Sequence, residues 1–398
     1  MENLPLAGLR VVEFVHMVMG PSCGLILADL GADVVKIEPV PGGDNTRRLT
    51  ASGAGFFPAF NRNKRALALD MKSPEGAAIA RKLVAEADVV TENFRPGAMD
   101  KLGLGYEAVS AFNPRAVYCS LKGFLDGPYE HRTALDEVVQ MMAGLAYMTG
   151  PAGRPLRAGT SVNDIMGGMF AAIGILAAIE ERHRTGKGRY VKSALYENCA
   201  FLVAQHIAQF GVTGEAPPPM TVRRAAWGIY DVFDTADGGQ LFVAVVSDTQ
   251  WGPFCDEFGL AALKANPALA TNPLRCAARP WLIPAVQKAF SGITKADLVA
   301  RAEKLGIPYA PIQTPVDLLD DPHLNASGGF VEVTAAGGRK IRVPGLPISF
   351  DGERLGLRRD VPAIGADGRE ILAELGYDDA DIERLVAAGI LGLPPSRA

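Results

Sequence analysis

The opening strand–turn–helix–strand constrains the fold more than any other feature. Leu9 to Phe14 is a β-branched run, and His16 to Pro21 is a Gly/Pro turn. Ser22 to Leu30 then carries helical spacing, with Ser22 as a candidate N-cap. Gly31-Ala32 ends that helix, and Asp33 to Glu38 (DVVKIE) reads as the next strand. Two strands joined through a helix pair in parallel by a right-handed crossover, so the chain is directed to an α/β fold.

The same alternation continues downstream. Ala66 to Asp70 reads as a strand, Ser73 to Ala87 as a helix opening on SPEG, and Ala87 to Glu92 as another strand. Gly97 to Leu102 is a short helix, and Ala116 to Leu121 a further strand. Ligands on parallel sheets sit at the carboxyl ends of strands. Here those ends are His16, Glu38 to Asp44, Asp70 to Lys72, Glu92 to Gly97 and Lys122-Gly123. From Leu135 to Gln209 the pattern is mainly helical, with the pause LRAGTSVND before a long helix over Asp164 to His183. TGKGRYV makes a tight turn into a short strand, and GEAPPPM (Gly214 to Met220) is the clearest linker. A hairpin follows (Ile229 to Phe233, turn ADGG, Leu241 to Val246), then helices through Lys304, as expected of a smaller α+β domain. Phe330 to Val333 and Lys340 to Val343 have strand character, and Arg369 to Ala388 reads as a final pair of helices.

A chain of 398 residues, 48% hydrophobic and 21% charged, is expected to be soluble and to bury more than one core. Its net charge of −4 offers no footprint for nucleic acid or an anionic membrane, so an anionic ligand must be held by local basic residues. Cys23, Cys119, Cys199, Cys255 and Cys276 are scattered, which reads as reduced thiols rather than disulfides or a metal site. MENLPLAGLRVVEF lacks the basic segment and apolar core of a secretory signal. The apolar stretch Met166 to Ile179 is shorter than the ~20 residues a membrane helix needs. The expectation is a cytoplasmic protein with no metal, no nucleic-acid partner and no membrane.

P-loop, GxGxxG, HExxH and G-x-S-x-G motifs are missing, which removes support for nucleoside triphosphates, nicotinamide cofactors, zinc hydrolysis and serine hydrolysis. In GTSVNDIMGGMF, Asp164 stands where a helix begins, which favours an ionised, nucleophilic carboxylate; an N-cap aspartate fits the same pattern. Gly167 and Gly168 would let a bulky substrate approach, and their N–H groups could stabilise oxyanions. His16 could meet a phosphate or thioester, or be a turn histidine paired to backbone. Lys72 precedes a helix start, where an ammonium and backbone N–H groups suit phosphate; a solvated lysine fits equally. Asn93-Phe94-Arg95-Pro96-Gly97 could seat an adenine ring or be a plain turn. Arg47, Arg48, Arg132, Arg157, Arg223 and Arg224 are candidates for pairing a substrate carboxylate. Asp136 and Glu137 could bring a second carboxylate toward Asp164, or simply begin a helix.

LAGLRVVEFVHMVMGPSCGLILADLGADVVKIEPVPGGD, FNRNKRALALDMKSPEG, ADVVTENFRPGAMDKLGLGYE, GTSVNDIMGGMFAAIGILAAIEERHRTGKG and RKIRVPGLPISF occur in this order. Together they resemble the class III CoA-transferase family, which includes formyl-CoA transferase, carnitine CoA-transferase and α-methylacyl-CoA racemase. The resemblance implies an interlocked homodimer. It also implies a Rossmann-like large domain from 1–213 completed by a return segment 326–398, with a small α+β domain over 221–325. It places the family's nucleophile on Asp164. Its CoA contacts fall on His16, Val18, Met19, Leu69 and Lys72, and on Asn93, Phe94, Lys101 and Leu102. The arginine that formyl-CoA transferase has after the KIE strand is Pro39 here.

Two departures discriminate among members. Racemases carry His before the Asp of a GHD motif, and here the string is Ala134-Leu135-Asp136. Proton abstraction and return at an α-carbon needs two poised groups, and one is missing. The Gly-rich loop of formyl-CoA transferases is replaced by RRAAWGIY. The resemblance therefore implies CoA transfer through aspartyl anhydride and aspartyl-CoA thioester, with CoA thioesters as substrates and no tightly bound cofactor. Arg223-Arg224, beside Trp227 and Tyr230, suggest succinyl-CoA as donor and a C4–C5 dicarboxylate such as mesaconate, citramalate or itaconate as acceptor. An acyl-CoA racemase or isomerase is the alternative, and a CoA-binding paralogue without turnover a third class.

Overall fold

The computed structural model describes residues 4–222 and 225–394. Six parallel strands build the main sheet: β1 (Arg10–Phe14), β2 (Asp33–Glu38), β3 (Arg65–Leu69), β4 (Val89–Glu92), β5 (Val117–Lys122) and β6 (Tyr190–Ala194). Their order is β3-β2-β1-β4-β5-β6, and Leu391–Gly392 adds an antiparallel edge on β3. Strand order reverses at β1, which pairs with β2 on one side and β4 on the other. Such a reversal opens a crevice outside the carboxyl ends of the strands.

Alternation along each strand feeds two cores. Val12, Phe14 and Val90 face a cluster with Ile79, Leu83, Ile371 and Leu385, while Val11 and Val89 face one with Cys23, Leu27, Ala171 and Ile175. Helices thus cover both faces, which explains why the strands read as nearly unbroken apolar runs. The C-terminal helices Gly368–Glu374 and Asp379–Ala387 join the first of these cores, so the chain end returns to the sheet where it began.

Helix α1 spans Met19–Asp29 and begins earlier than its sequence signals suggest. Ser22 is inside it rather than at its cap, and its hydroxyl donates to the Val18 carbonyl at 2.7 Å. Helix α2 (Pro74–Ala85) matches its signals better, with the Ser73 side chain accepting from the Gly76 N–H. Helices α3 (Asp136–Met142), α4 (Val162–Thr185) and α5 (Leu195–Leu202) follow.

Among the described residues, α4 is the one helix long and apolar enough to cross a membrane; the apolar stretch seen in the sequence is only its centre. Its Gly168 packs against α1. A Cβ there would stand 2.7 Å from Ser22 Cβ, 2.8 Å from the Met19 carbonyl oxygen and 2.9 Å from Cys23 N. Two of those contacts are backbone and cannot yield. Gly168→Ala is expected to cost about 1–3 kcal/mol through overpacking, read as a lower midpoint in denaturant unfolding with unchanged slope.

The chain divides into two compact units, Met1–Thr221 with His323–Ala398, and Val222–Pro322. The second contains an antiparallel sheet of Ile229–Asp234, Gln240–Val245 and Tyr309–Pro311. Its core is built around Phe233, Phe254, Phe290 and Leu282.

Candidate active site

The crevice at the switch of strand order is closed by a side chain reading backbone. Asn93, just past β4, accepts from the His16 N–H at 2.9 Å and donates to the His16 carbonyl at 2.8 Å. The His16 and Phe94 rings stack at 5.8 Å. Burial lowers the His16 pKa, which keeps the ring neutral, with Asp44 pulling the other way and Lys36 adding to the lowering. Met17 beside it holds a left-handed φ of 64°, a strained conformation for a non-glycine residue.

A cavity of about 400 Å³ opens here, lined by His16, Met17, Val40, Asp44, Leu69, Lys72 and Phe94 among others. Four of the residues singled out in the sequence thus share one cavity: His16, Leu69, Lys72 and Phe94. Asn93 braces it from behind. Val18 and Met19 are buried at the start of α1. Lys101 is exposed and Leu102 packs on the first core; neither lines this cavity or the smaller one beyond β4.

Asp164 is the third residue of α4, whose N-cap is Ser161, so it is not the capping residue. A helix start favours the carboxylate. Burial outweighs that preference: it pushes the Asp164 carboxyl up to about 7, with the Asp136 charge adding to the rise and Arg157 opposing it. The expectation that the helix start keeps this group fully ionised is corrected by that burial.

Asp136 begins α3 and is buried. It accepts from the Asn163 N–H at 2.8 Å and from Gln140 Nε2 at 2.6 Å, with Arg157 Nη2 at 3.4 Å. It is therefore the carboxylate whose charge acts on Asp164, while Glu137 is exposed and meets Arg157 at 3.4 Å. Gly167 and Gly168 do not serve substrate approach. Cβ atoms on them would strike Met19, Ser22 and Asn198, so their bareness admits neighbouring helices. Inside α4 their N–H groups belong to the helical ladder and are not free for oxyanions.

Among the described arginines proposed to hold a substrate carboxylate, Arg157 is the one whose charge acts on Asp164. Arg47 is engaged in a two-pronged contact with Glu38 at 2.6 and 2.7 Å. Arg48 donates to Gly42 and Asn45, and Arg132 lies 4.1 Å over the Tyr129 ring. Arg223 and Arg224 lie outside the described residues. Lys36 and Lys64 were passed over in the sequence. Lys36 is a charge within the apolar strand run VVKIE, while Lys64 lies in the polar run NRNKR and carries no such signal.

The sheet order, the crevice and a half-buried aspartate at a helix start agree with the sequence resemblance. The profile of CoA-transferase family III matches residues 6–368. The chain belongs to that family. This family III CoA-transferase is 35% identical to succinate–glutarate CoA-transferase from Agrobacterium fabrum, over 93% of its own length and 96% of the relative's. It is 33% identical to succinyl-CoA:mesaconate CoA-transferase from Haloarcula marismortui, over 94% and 97%. Among solved structures, a CAIB/BAIF family protein from Brucella suis matches it with a TM-score of 0.84 and 36% identity, over 94% and 100% of the two chains. The CoA-transferase thus shares both its sequence pattern and its mixed α/β fold with the family.

Proposed function

We propose that this enzyme moves CoA from succinyl-CoA to a C4–C5 dicarboxylate, with Asp164 as the covalent carrier. The observation that carries the reading is Asp164 itself: a half-buried carboxyl at a helix start, its pKa raised to about 7 by desolvation and the Asp136 charge against the pull of Arg157. The names of the relatives supply the substrate class: they pair succinate or succinyl-CoA with glutarate, mesaconate, citramalate or malate.

The ionised Asp164 attacks the thioester carbonyl of the donor, forming an aspartyl–acyl anhydride and releasing CoA thiolate. The thiolate attacks the Asp164 carbonyl, giving an aspartyl-CoA thioester and the free donor acid. The acceptor carboxylate attacks that thioester, producing a new anhydride and thiolate, and the thiolate then takes the acceptor acyl group and frees Asp164. Every intermediate is an activated acyl group, so activation survives each exchange provided water is kept out. Arg157 is the cation placed to meet the acid's carboxylate. His16, Leu69, Lys72 and Phe94 form the cradle for CoA, with Asn93 holding the His16 backbone.

Helix Ala204–Thr213 buries none of its residues yet carries Ile207, Phe210 and Val212 in the open. That surface supports a homodimer, interlocked as in the resemblance, and we place the enzyme in the cytoplasm. Leu135, at the place of the racemase histidine, has no proton to exchange.

The test is isotope exchange. Labelled succinate is expected to enter succinyl-CoA, and glutarate, mesaconate and citramalate to accept CoA at least about tenfold better than acetate, because a second carboxylate needs a matching cation. Absence of exchange, together with solvent deuterium entering the α-carbon of an acyl-CoA, would replace transfer by racemisation.

A further inference from the structure

The cavity proposed for CoA has a wall that should repel it. Glu38, Asp44 and Asp70 all line it, against one lysine, Lys72, and a neutral histidine. CoA carries several phosphate charges, so carboxylates in that wall must be neutralised. Glu38 is answered by the Arg47 fork and by the Asp44 N–H at 2.7 Å. Asp70 accepts from the Lys72 N–H at 3.0 Å.

Asp44 is answered from below. The Lys36 side chain is fully buried and places Nζ 3.1 Å from Asp44 Oδ2. The same ammonium donates to the Val15 carbonyl at 2.7 Å and lies 3.9 Å from Glu13 Oε1. Lys64 completes the set, 2.8 Å from Glu13 Oε1. Two lysines therefore balance two carboxylates in a region closed to water. Burial alone would raise the Asp44 pKa, but Lys36 and the hydrogen bonds from Thr46 hold it below its usual value, so the carboxylate stays charged.

Lys36 is consequently tied to both lips of the cavity. Val15 precedes His16 on one lip, and Asp44 belongs to the Pro39–Asn45 turn on the other. We propose that Lys36 is a positioning residue for CoA, holding the Asp44 carboxylate and cancelling its charge against the incoming phosphates. This rests on the reading of the cavity as the CoA cradle. Lys36 is fully buried, so its effect on the ligand passes through Asp44.

The argument predicts an unusual rescue. In Lys36→Met, Asp44 becomes a buried, unpaired carboxylate facing a polyanion. In Lys36→Met/Asp44→Asn that charge is gone, and Asn retains the acceptor that caps Thr46. Calorimetric titration with CoA is expected to show Lys36→Met weakened about tenfold or more, and the double variant back within about threefold of wild type. The turnover number at saturating succinyl-CoA should fall less than the affinity in Lys36→Met, since the Asp44 charge acts on binding.

A tenfold loss in the double variant would overturn the proposal, because removing the Asp44 carboxylate should restore binding if its uncancelled charge is what repels CoA. So would Lys36→Met binding CoA like wild type. If Lys36→Met does not fold, the double variant decides alone by the same threefold and tenfold limits. Failure of the wild-type enzyme to bind CoA would instead sink the reading of the cavity.

Discussion

Asp164→Asn is expected to abolish CoA exchange, with a fall of about 10⁴-fold or more, the scale on which loss of a covalent nucleophile is felt. Asparagine keeps the shape and the helix position but cannot form an anhydride or a thioester. Intact-protein mass spectrometry after incubation with succinyl-CoA should show a CoA adduct on wild type and none on the variant. The loss cannot be assigned to misfolding, because the linkage runs the other way. The folded-state pKa of Asp164 is raised from 3.8 to about 7, so its ionisation opposes folding as pH rises through that window. An uncharged amide escapes that opposition, and Asp164→Asn should be at least as stable as wild type at pH 8 in urea unfolding. Residual exchange above a thousandth of wild type would remove Asp164 from the carrier role.

The outline of the large sheet and of the small hairpin was legible in the sequence because the signals were local. The Asp33–Glu38 strand, the SPEG helix start and the hairpin around ADGG were all readable from a few residues each, and the observed strands and helices lie at those places. The start of α1 was misplaced for a physical reason. Met19–Gly20–Pro21 reads as a turn, yet Pro is tolerated in a first helical turn, and Ser22 spends its hydroxyl on the Val18 carbonyl instead of capping. Gly167-Gly168 was misread for a related reason. A bare backbone announces close approach, but not whether a ligand or a helix approaches. Only the Met19 and Ser22 contacts decide that, and they come from a residue range far away in sequence.

The charge network was the least legible part. Glu13, Lys36, Lys64 and Asp44 lie in four separate segments, and each looks like a solvated face residue when read alone. Burial makes them a unit. The pKa of Lys64 is pushed down to about 8 by desolvation, against the pull of Glu13. Nothing short of the folded sheet brings β1, β2 and the start of β3 side by side.

Activity is expected to depend steeply on pH, and the direction follows from the environment of Asp164. Only the carboxylate can attack a thioester, so kcat/KM should rise with pH and level off above an apparent pKa of about 7. At pH 5 only about one molecule in a hundred would carry the ionised group, a fall of about 100-fold from the plateau. An unperturbed aspartate, with a pKa near 3.8, would give a flat profile over the same range. The two charged neighbours move the curve in opposite directions. Asp136→Asn removes the like charge that disfavours ionisation, and its acid limb should shift to lower pH. Arg157→Met removes the cation that favours ionisation and leaves Asp136 more exposed to Asp164, so its limb should shift upward. Burial, the largest cause of the rise, is left in place by both substitutions, and neither limb should return to 3.8. Profiles of kcat/KM for succinyl-CoA between pH 5 and 9 would check all three curves. Coincident limbs for wild type and both variants would place the titrating group elsewhere.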